Sequence, residues 1–180
     1  MRIIGGKHKG IRLSPPRDLP VRPTTDMAKE ALFNILEHRV RWDEITALDL
    51  FSGTGGISLE LASRGTSKVI SVDKNYKCVQ FLKDTASKLE LHQISVIRSD
   101  VFKYLERACE VPLDLIFADP PYDMELLPKI PEMVFDKALL APDGILVLEY
   151  PSTLRLHDKP SPNELRKYGN SSFAIYQNKA

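Results

Sequence analysis

Cysteine is scarce. Only Cys78 and Cys109 occur in 180 residues, they share no CxxC spacing, and both fall in helix-like segments. This argues against a disulfide framework or a thiolate metal site, so reduced thiols and no metal are expected. No apolar run approaches the ~18 residues that a membrane span requires. The opening MRIIGGKHKG lacks the apolar stretch of a secretory leader, and with reduced thiols this points to a cytoplasmic protein without membrane contact. Neither charge sign dominates: 25 Lys and Arg face 24 Asp and Glu, for a net charge of +1. A nucleic-acid partner must therefore meet a local patch rather than the field of the whole molecule. Internal repeats and low-complexity tracts are also missing. What is present is ordinary for a globular chain, 43% hydrophobic and 27% charged, with the length for one well-cored domain. We expect a monomeric single domain over residues 1–180, divided into an N-terminal segment, 1–22, and a core, 23–180.

The N-terminal segment is unlike the rest. RIIGGKHKGIRL reads as a β-hairpin about a Gly- and Lys-rich turn, followed by a proline-stiffened connector, SPPRDLPVRP. Arg2, Lys7, Lys9, Arg12, Arg17 and Arg22 face a single acid, Asp18. Ala28, Ala31, Leu32, Ile35 and Leu36 then mark a helical face, with Thr25 or Asp26 as N-cap. From Ile45 strands and helices alternate: ITALDLFSG, GISLELASRG, KVISVD, NYKCVQFLKDTASKLEL, QISVIRSD, VFKYLERACE, LDLIFADPP, a helix over 124–139 interrupted by Pro128 and Pro131, and GILVLEY. This spacing predicts βαβ units, hence an α/β fold with a parallel sheet covered by helices on both faces. ELRKYGNSSFAIYQ predicts a closing hairpin with Gly169-Asn170 in its turn and an antiparallel edge.

Ligands of such sheets collect beyond the C-terminal strand ends. Four predicted strands end at or just before an acid: Asp49, Asp73, Asp100 and Asp119. Helix capping explains any one of them; four on one edge point to a polar ligand with several donors. The first turn, DLFSGTGG, carries Gly53 and Gly55, but a dinucleotide fingerprint requires a third glycine where Ser58 stands. Asp73, twenty residues after Gly53, is placed to accept ribose hydroxyls. The pattern suits S-adenosylmethionine, a zwitterion with no pyrophosphate, better than a nicotinamide or flavin cofactor, although a purely structural turn also fits. Asp100 falls where an adenine amino group is held, Val101 or Phe102 where its ring packs, and Phe51 and Lys74 flank the same acids.

DPPY, Asp119 to Tyr122, ends an apolar strand. An exocyclic amino group on a base is a poor nucleophile because its lone pair is delocalised into the ring. The Asp119 carboxylate and the Pro120 carbonyl supply acceptors for its two hydrogens. Pro120 and Pro121 stiffen the corner, and Tyr122 offers a face on which an extruded base stacks. Asp119 serves as acceptor, as base, or as both.

The order of glycine turn, Asp73, Asp100 and DPPY resembles Class I amino-methyltransferases. With RIIGGKHKG, RPTTDMAKEALFNIL and DLFSGTGGISLELASRG included, the chain resembles the RsmD-like family of 16S ribosomal RNA guanine-N2 methyltransferases from about Arg2 to Tyr176. The resemblance implies a Rossmann-like, seven-stranded sheet with its last strand antiparallel, S-adenosyl-L-methionine as donor, and 16S ribosomal RNA or the small ribosomal subunit as partner. It implies catalytic roles for Asp119, Pro120, Pro121 and Tyr122, and places Thr24 and Thr25 beside the donor. Asp73 is a departure, since this acid is often glutamate in the family. The six N-terminal cations become candidate RNA contacts, and Arg166, Lys167 and Tyr168 could flank the same mouth. A DNA amino-methyltransferase would need a recognition domain that this length leaves little room for. A protein glutamine methyltransferase usually leads its motif with asparagine. A non-catalytic ribosome-assembly module would have no need of an intact DPPY.

Overall fold

The computed structural model describes residues 1–16, 18–19, 25–107, 112–156 and 160–179. Arg17, Arg22, Thr24 and Cys109 lie outside the described residues. Thr25 takes an extended backbone and its hydroxyl accepts from the Ala28 amide, which opens α1 (Asp26–Leu36). Next come β1 (Thr46–Leu50), α2 (Gly56–Ser63), β2 (Lys68–Asp73), α3 (Tyr76–Lys88), β3 (Ile94–Arg98), α4 (Val101–Arg107) and β4 (Leu113–Ala118). The chain finishes with α5 (Lys129–Asp136), β5 (Leu140–Pro151), β6 (Glu164–Tyr168) and β7 (Ser171–Gln177). The sheet has seven strands in the order β3-β2-β1-β4-β5-β7-β6. The pairs from β3 through β5 are parallel, and β7 runs antiparallel to both β5 and β6. The order reverses at β1, so the crevice beyond the ends of β1 and β4 is the expected ligand site.

The central strands are mostly apolar because both of their faces are covered, and side chains alternate between two cores. Ala47, Leu115, Phe117, Ile145, Val147 and Phe173 pack with α1, α2 and α3. Leu48, Leu50, Ile116, Leu146, Leu148 and Tyr176 pack with α4 and α5. This alternation fixes the side on which each strand-end acid emerges.

Two expectations need correction. The N-terminal hairpin forms, with Ile3 N–H donating to Ile11 O and Gly10 N–H to Ile3 O, but its only strand pairing is one bridge between Arg2 and Arg12. Its edges bond to α2 instead of extending a ladder. The predicted helix over 124–139 begins at Lys129. Pro128 is its N-cap and Pro131 sits in its first turn, where a missing N–H costs nothing, so these prolines start the helix rather than interrupt it.

Candidate active site

Strand register assembles the site. Asp49 pairs with Ser71 and Phe117, and Phe117 with Val147, so one row of side chains crosses β2, β1, β4 and β5 on the α1–α3 face. Two residues further along the same strands stand Asp73, Phe51, Asp119 and Glu149. These top-row residues line a cavity of about 460 Å³ that has Asp49 in its wall.

Asp49 is not a strand-end acid. It lies inside β1 and is 1% exposed. Its Oδ2 accepts from the Ser58 amide at 3.0 Å and from the Ser58 hydroxyl, which in turn lies 2.6 Å from the Ser71 hydroxyl. A serine therefore stands at the third fingerprint position because it ties the start of α2 to β1 and β2. Burial pushes the Asp49 carboxyl up to about 7 against the pull of the Ser58 bonds, and the Asp73 charge pushes the same way. Phe51, at the turn, holds a left-handed backbone with φ of 60°, uncommon for a non-glycine residue and a mark of a backbone fixed by its surroundings. Gly53 lines the cavity, but Gly55 does not. Gly55 has φ of +83°, and a Cβ there would lie 2.2 Å from Leu82 of α3, so it is needed where the helices meet.

Asp73 ends β2 with both oxygens anchored: Oδ2 accepts from Gly53 N–H at 2.8 Å and Oδ1 from Asn75 N–H at 2.7 Å. Each carboxylate oxygen retains acceptor capacity, and the carboxylate is fixed before any ligand arrives. Asp100 caps α4, accepting from Lys103 N–H at 3.1 Å, and also lines the cavity with buried Val101, so capping and lining are compatible. Lys74 and Thr25 complete the predicted lining. Apolar walls, outward acceptors and few cations suit a cationic nucleoside better than a pyrophosphate.

At the opposite wall β4 delivers Asp119, Pro120, Pro121 and Tyr122 to the same cavity. Burial, followed by the charges of Glu149 and Asp49, raises the Asp119 carboxyl well above the ordinary carboxylate value. The Tyr122 hydroxyl donates to Glu149 Oε1 at 3.2 Å and lies 2.8 Å from the Ser171 hydroxyl. Burial raises the Tyr122 phenol, and the Glu149 and Asp119 charges add to this, so it stays a neutral donor. The ring is 38% exposed, at the cavity mouth.

Several cavity residues were not indicated by the sequence. Glu149 and Ser171 arrive through β5–β7 pairing. Lys29, 2% exposed, pairs with the fully buried Glu60 at 3.7 Å and donates to Arg2 O. Burial lowers the Lys29 ammonium and Glu60 opposes this. Glu60 Oε2 also accepts from Ile4 N–H at 2.8 Å, and Oε1 from Arg64 at 3.0 Å. This cluster, at the i and i+4 positions of α2, locks the N-terminal segment along that helix.

The basic residues consequently divide. Met1 lies against Gly56 at the start of α2 and lines the cavity, whereas Lys7 N–H donates to Ser63 O at its end. Gly6 is required there, because a Cβ would lie 1.9 Å from Ser63 O. Eight helical residues span about 12 Å, so the turn carrying exposed Lys7 and Lys9 sits one helix length from the cavity. Arg2 and Arg12 line a separate hollow of about 440 Å³ that shares Met1 with the cavity, and Arg2 pairs with Asp26 at 3.2 Å. His8 serves through its backbone, donating to the Ser63 hydroxyl at 2.9 Å. Arg166 and Lys167 on edge strand β6 do not line the cavity, and Arg166 pairs with Glu164. No group of His, Cys, Asp and Glu among the described residues could hold a metal ion, and no helix there is long and apolar enough to cross a membrane.

Residues 1–177 match the family described as "Conserved hypothetical protein 95". The chain is 33% identical to the "Putative rRNA methyltransferase YlbH" of Bacillus subtilis, over 98% of each chain. It is 28% identical to the "Ribosomal RNA small subunit methyltransferase D" of Escherichia coli K12, over 100% of this chain and 91% of that one. Among solved structures, the "Putative methyltransferase yhhF" of Escherichia coli superposes with a TM-score of 0.84 at 27% identity, covering 100% of this chain and 98% of that one.

Proposed function

The chain belongs to the Conserved hypothetical protein 95 family, the RsmD-like rRNA methyltransferases, and from that premise we propose that it methylates the 2-amino group of one guanine in 16S ribosomal RNA. S-adenosyl-L-methionine is the donor, and the cavity fits it. Asp73, pre-anchored by two amides, takes the ribose hydroxyls. Asp100 and Val101 take the adenine. The wall near Asp49, Gly53 and Thr25 takes the methionine end. When bound, the donor supplies an electrophilic methyl group on a sulfonium, a cation that the surrounding carboxylates favour.

The observation that carries the reading is the placement of DPPY on the wall of the cavity that Asp73 lines. The Asp119 carboxylate and the Pro120 carbonyl hold the amino hydrogens while the nitrogen lone pair turns out of the ring plane. Preorganised acceptors and positioning supply most of the rate. The carboxyl of Asp119, with its affinity for protons raised, is suited to receive the proton that the amine sheds. The target guanine is unpaired or flipped to enter, and stacks on Tyr122. Arg2 and Arg12, in the hollow that shares Met1 with the cavity, and Lys7 and Lys9 one helix length away, track phosphates of the flanking RNA. The protein acts as a cytoplasmic monomer on free rRNA or on the small subunit.

The test is to map modified nucleotides in 16S rRNA from cells with and without the protein. One N2-methylguanosine is expected to disappear. An unchanged 16S pattern, or loss of a modification elsewhere, refutes the proposal.

A further inference from the structure

We propose that Glu149 selects guanine, its carboxylate accepting the N1–H of the target base while Asp119 and the Pro120 carbonyl hold the adjacent 2-amino group. This rests on the guanine-N2 reading above. Ala118 pairs with Leu148, so Asp119, just past the end of β4, and Glu149, inside β5, stand at one level and on one face of neighbouring parallel strands. Such strands lie ~4.8 Å apart, within the width of a single base edge. Glu149 is 4% exposed yet lines the cavity, and the Tyr122 hydroxyl steers its Oε1.

A second buried carboxylate beside Asp119 repels it and opposes burial of both charges. The Watson–Crick edge of guanine presents two adjacent donor groups to these neighbouring acceptors, N1–H followed by the 2-amino group. Adenine and 2,6-diaminopurine present an acceptor at N1 instead. Diaminopurine keeps the reacting amine, so it isolates the N1 contact. Sites built to bond a substrate N–H reject analogues lacking it by large factors because a buried partner is left unmatched.

The test uses synthetic RNA spanning the mapped target, with guanine or 2,6-diaminopurine at that position, and compares kcat/KM for wild type, Glu149→Gln and Glu149→Asp. Wild type should prefer guanine by ~10²-fold or more. In Glu149→Gln the amide nitrogen can donate to the unprotonated N1 of diaminopurine. Guanine turnover should then fall ~10²-fold and the preference collapse at least ~tenfold, with donor Kd unchanged. Glu149→Asp, which keeps the acceptor, should retain the preference. Equal losses on both bases in Glu149→Gln, or an unaltered preference, overturn the assignment and leave Glu149 a structural residue. The wild-type guanine arm is read separately: no 2-amino methylation there refutes the underlying function, whatever Glu149 does.

Discussion

Replacing Asp49 by asparagine should change how the fold responds to pH. Asp49 is 1% exposed, and its carboxyl stands at about 7 against an ordinary 3.8. A carboxyl raised on folding keeps its proton in the native state after the unfolded chain has lost it. Its contribution to stability is therefore complete below 3.8 and disappears as pH rises through about 7. The gap corresponds to ~4 kcal/mol, lost at up to ~1.4 kcal/mol per pH unit. Asp119 is raised as well and adds to the same trend, so the wild-type protein without ligand should lose stability steadily from pH 4 to above 7. An asparagine oxygen can still accept from the Ser58 amide and hydroxyl, so the α2 anchor survives while the titration is removed. Urea unfolding at half-unit steps from pH 4 to 8 measures this directly. Asp49→Asn should reduce the downward slope by ~1 kcal/mol per pH unit between pH 4.5 and 6.5. A variant with the wild-type slope would show that Asp49 ionises normally inside the sheet, and the electrostatic description of the cavity floor would be wrong.

Glu60→Ala leaves Lys29 buried without its carboxylate and frees the Ile4 amide, so it should cost ~3–5 kcal/mol in denaturant unfolding. Joint replacement by Lys29→Met and Glu60→Leu should cost clearly less than the sum of the single changes; simple additivity would contradict a coupled pair. Neutralising Lys7, Lys9 and Arg12 together should weaken RNA binding and reduce the slope of log K against log salt by ~2. An unchanged slope in filter-binding or fluorescence titrations would remove these residues from the RNA track.

The fold was legible because largely apolar strands alternating with helices leave few other arrangements, and because Gly169-Asn170 marks the final hairpin. That the DPPY corner and Asp73 share one cavity was legible because each is marked locally: an acid, two stiff residues and a ring, or an acid a fixed distance after a glycine turn. Glu149 was not, being one polar residue in an apolar strand until register sets it level with Asp119. Ser58 reads as a failed fingerprint until the Asp49 carboxylate is seen to need its hydroxyl. Lys29 and Glu60 read as ordinary helix-surface charges, because nothing in α1 or α2 alone shows that the N-terminal segment covers them. The same covering separates the lysine turn from the two arginines, which the sequence presents as one patch. Gly55 shows a second demand on the glycine turn: it does not line the cavity, and its lack of a side chain makes room for Leu82.

The central claim is that the Asp119 corner presents one base amino group to the donor cavity. The most direct measurement supplies purified protein with a methyl-labelled donor and unmodified 16S rRNA or small subunits, then locates the label by nuclease digestion and mass spectrometry. Label on a single guanine N2, absent with Asp119→Ala although that variant still binds donor, is the predicted result. Label on a ring nitrogen, a ribose or another base, or undiminished labelling by Asp119→Ala, would contradict it.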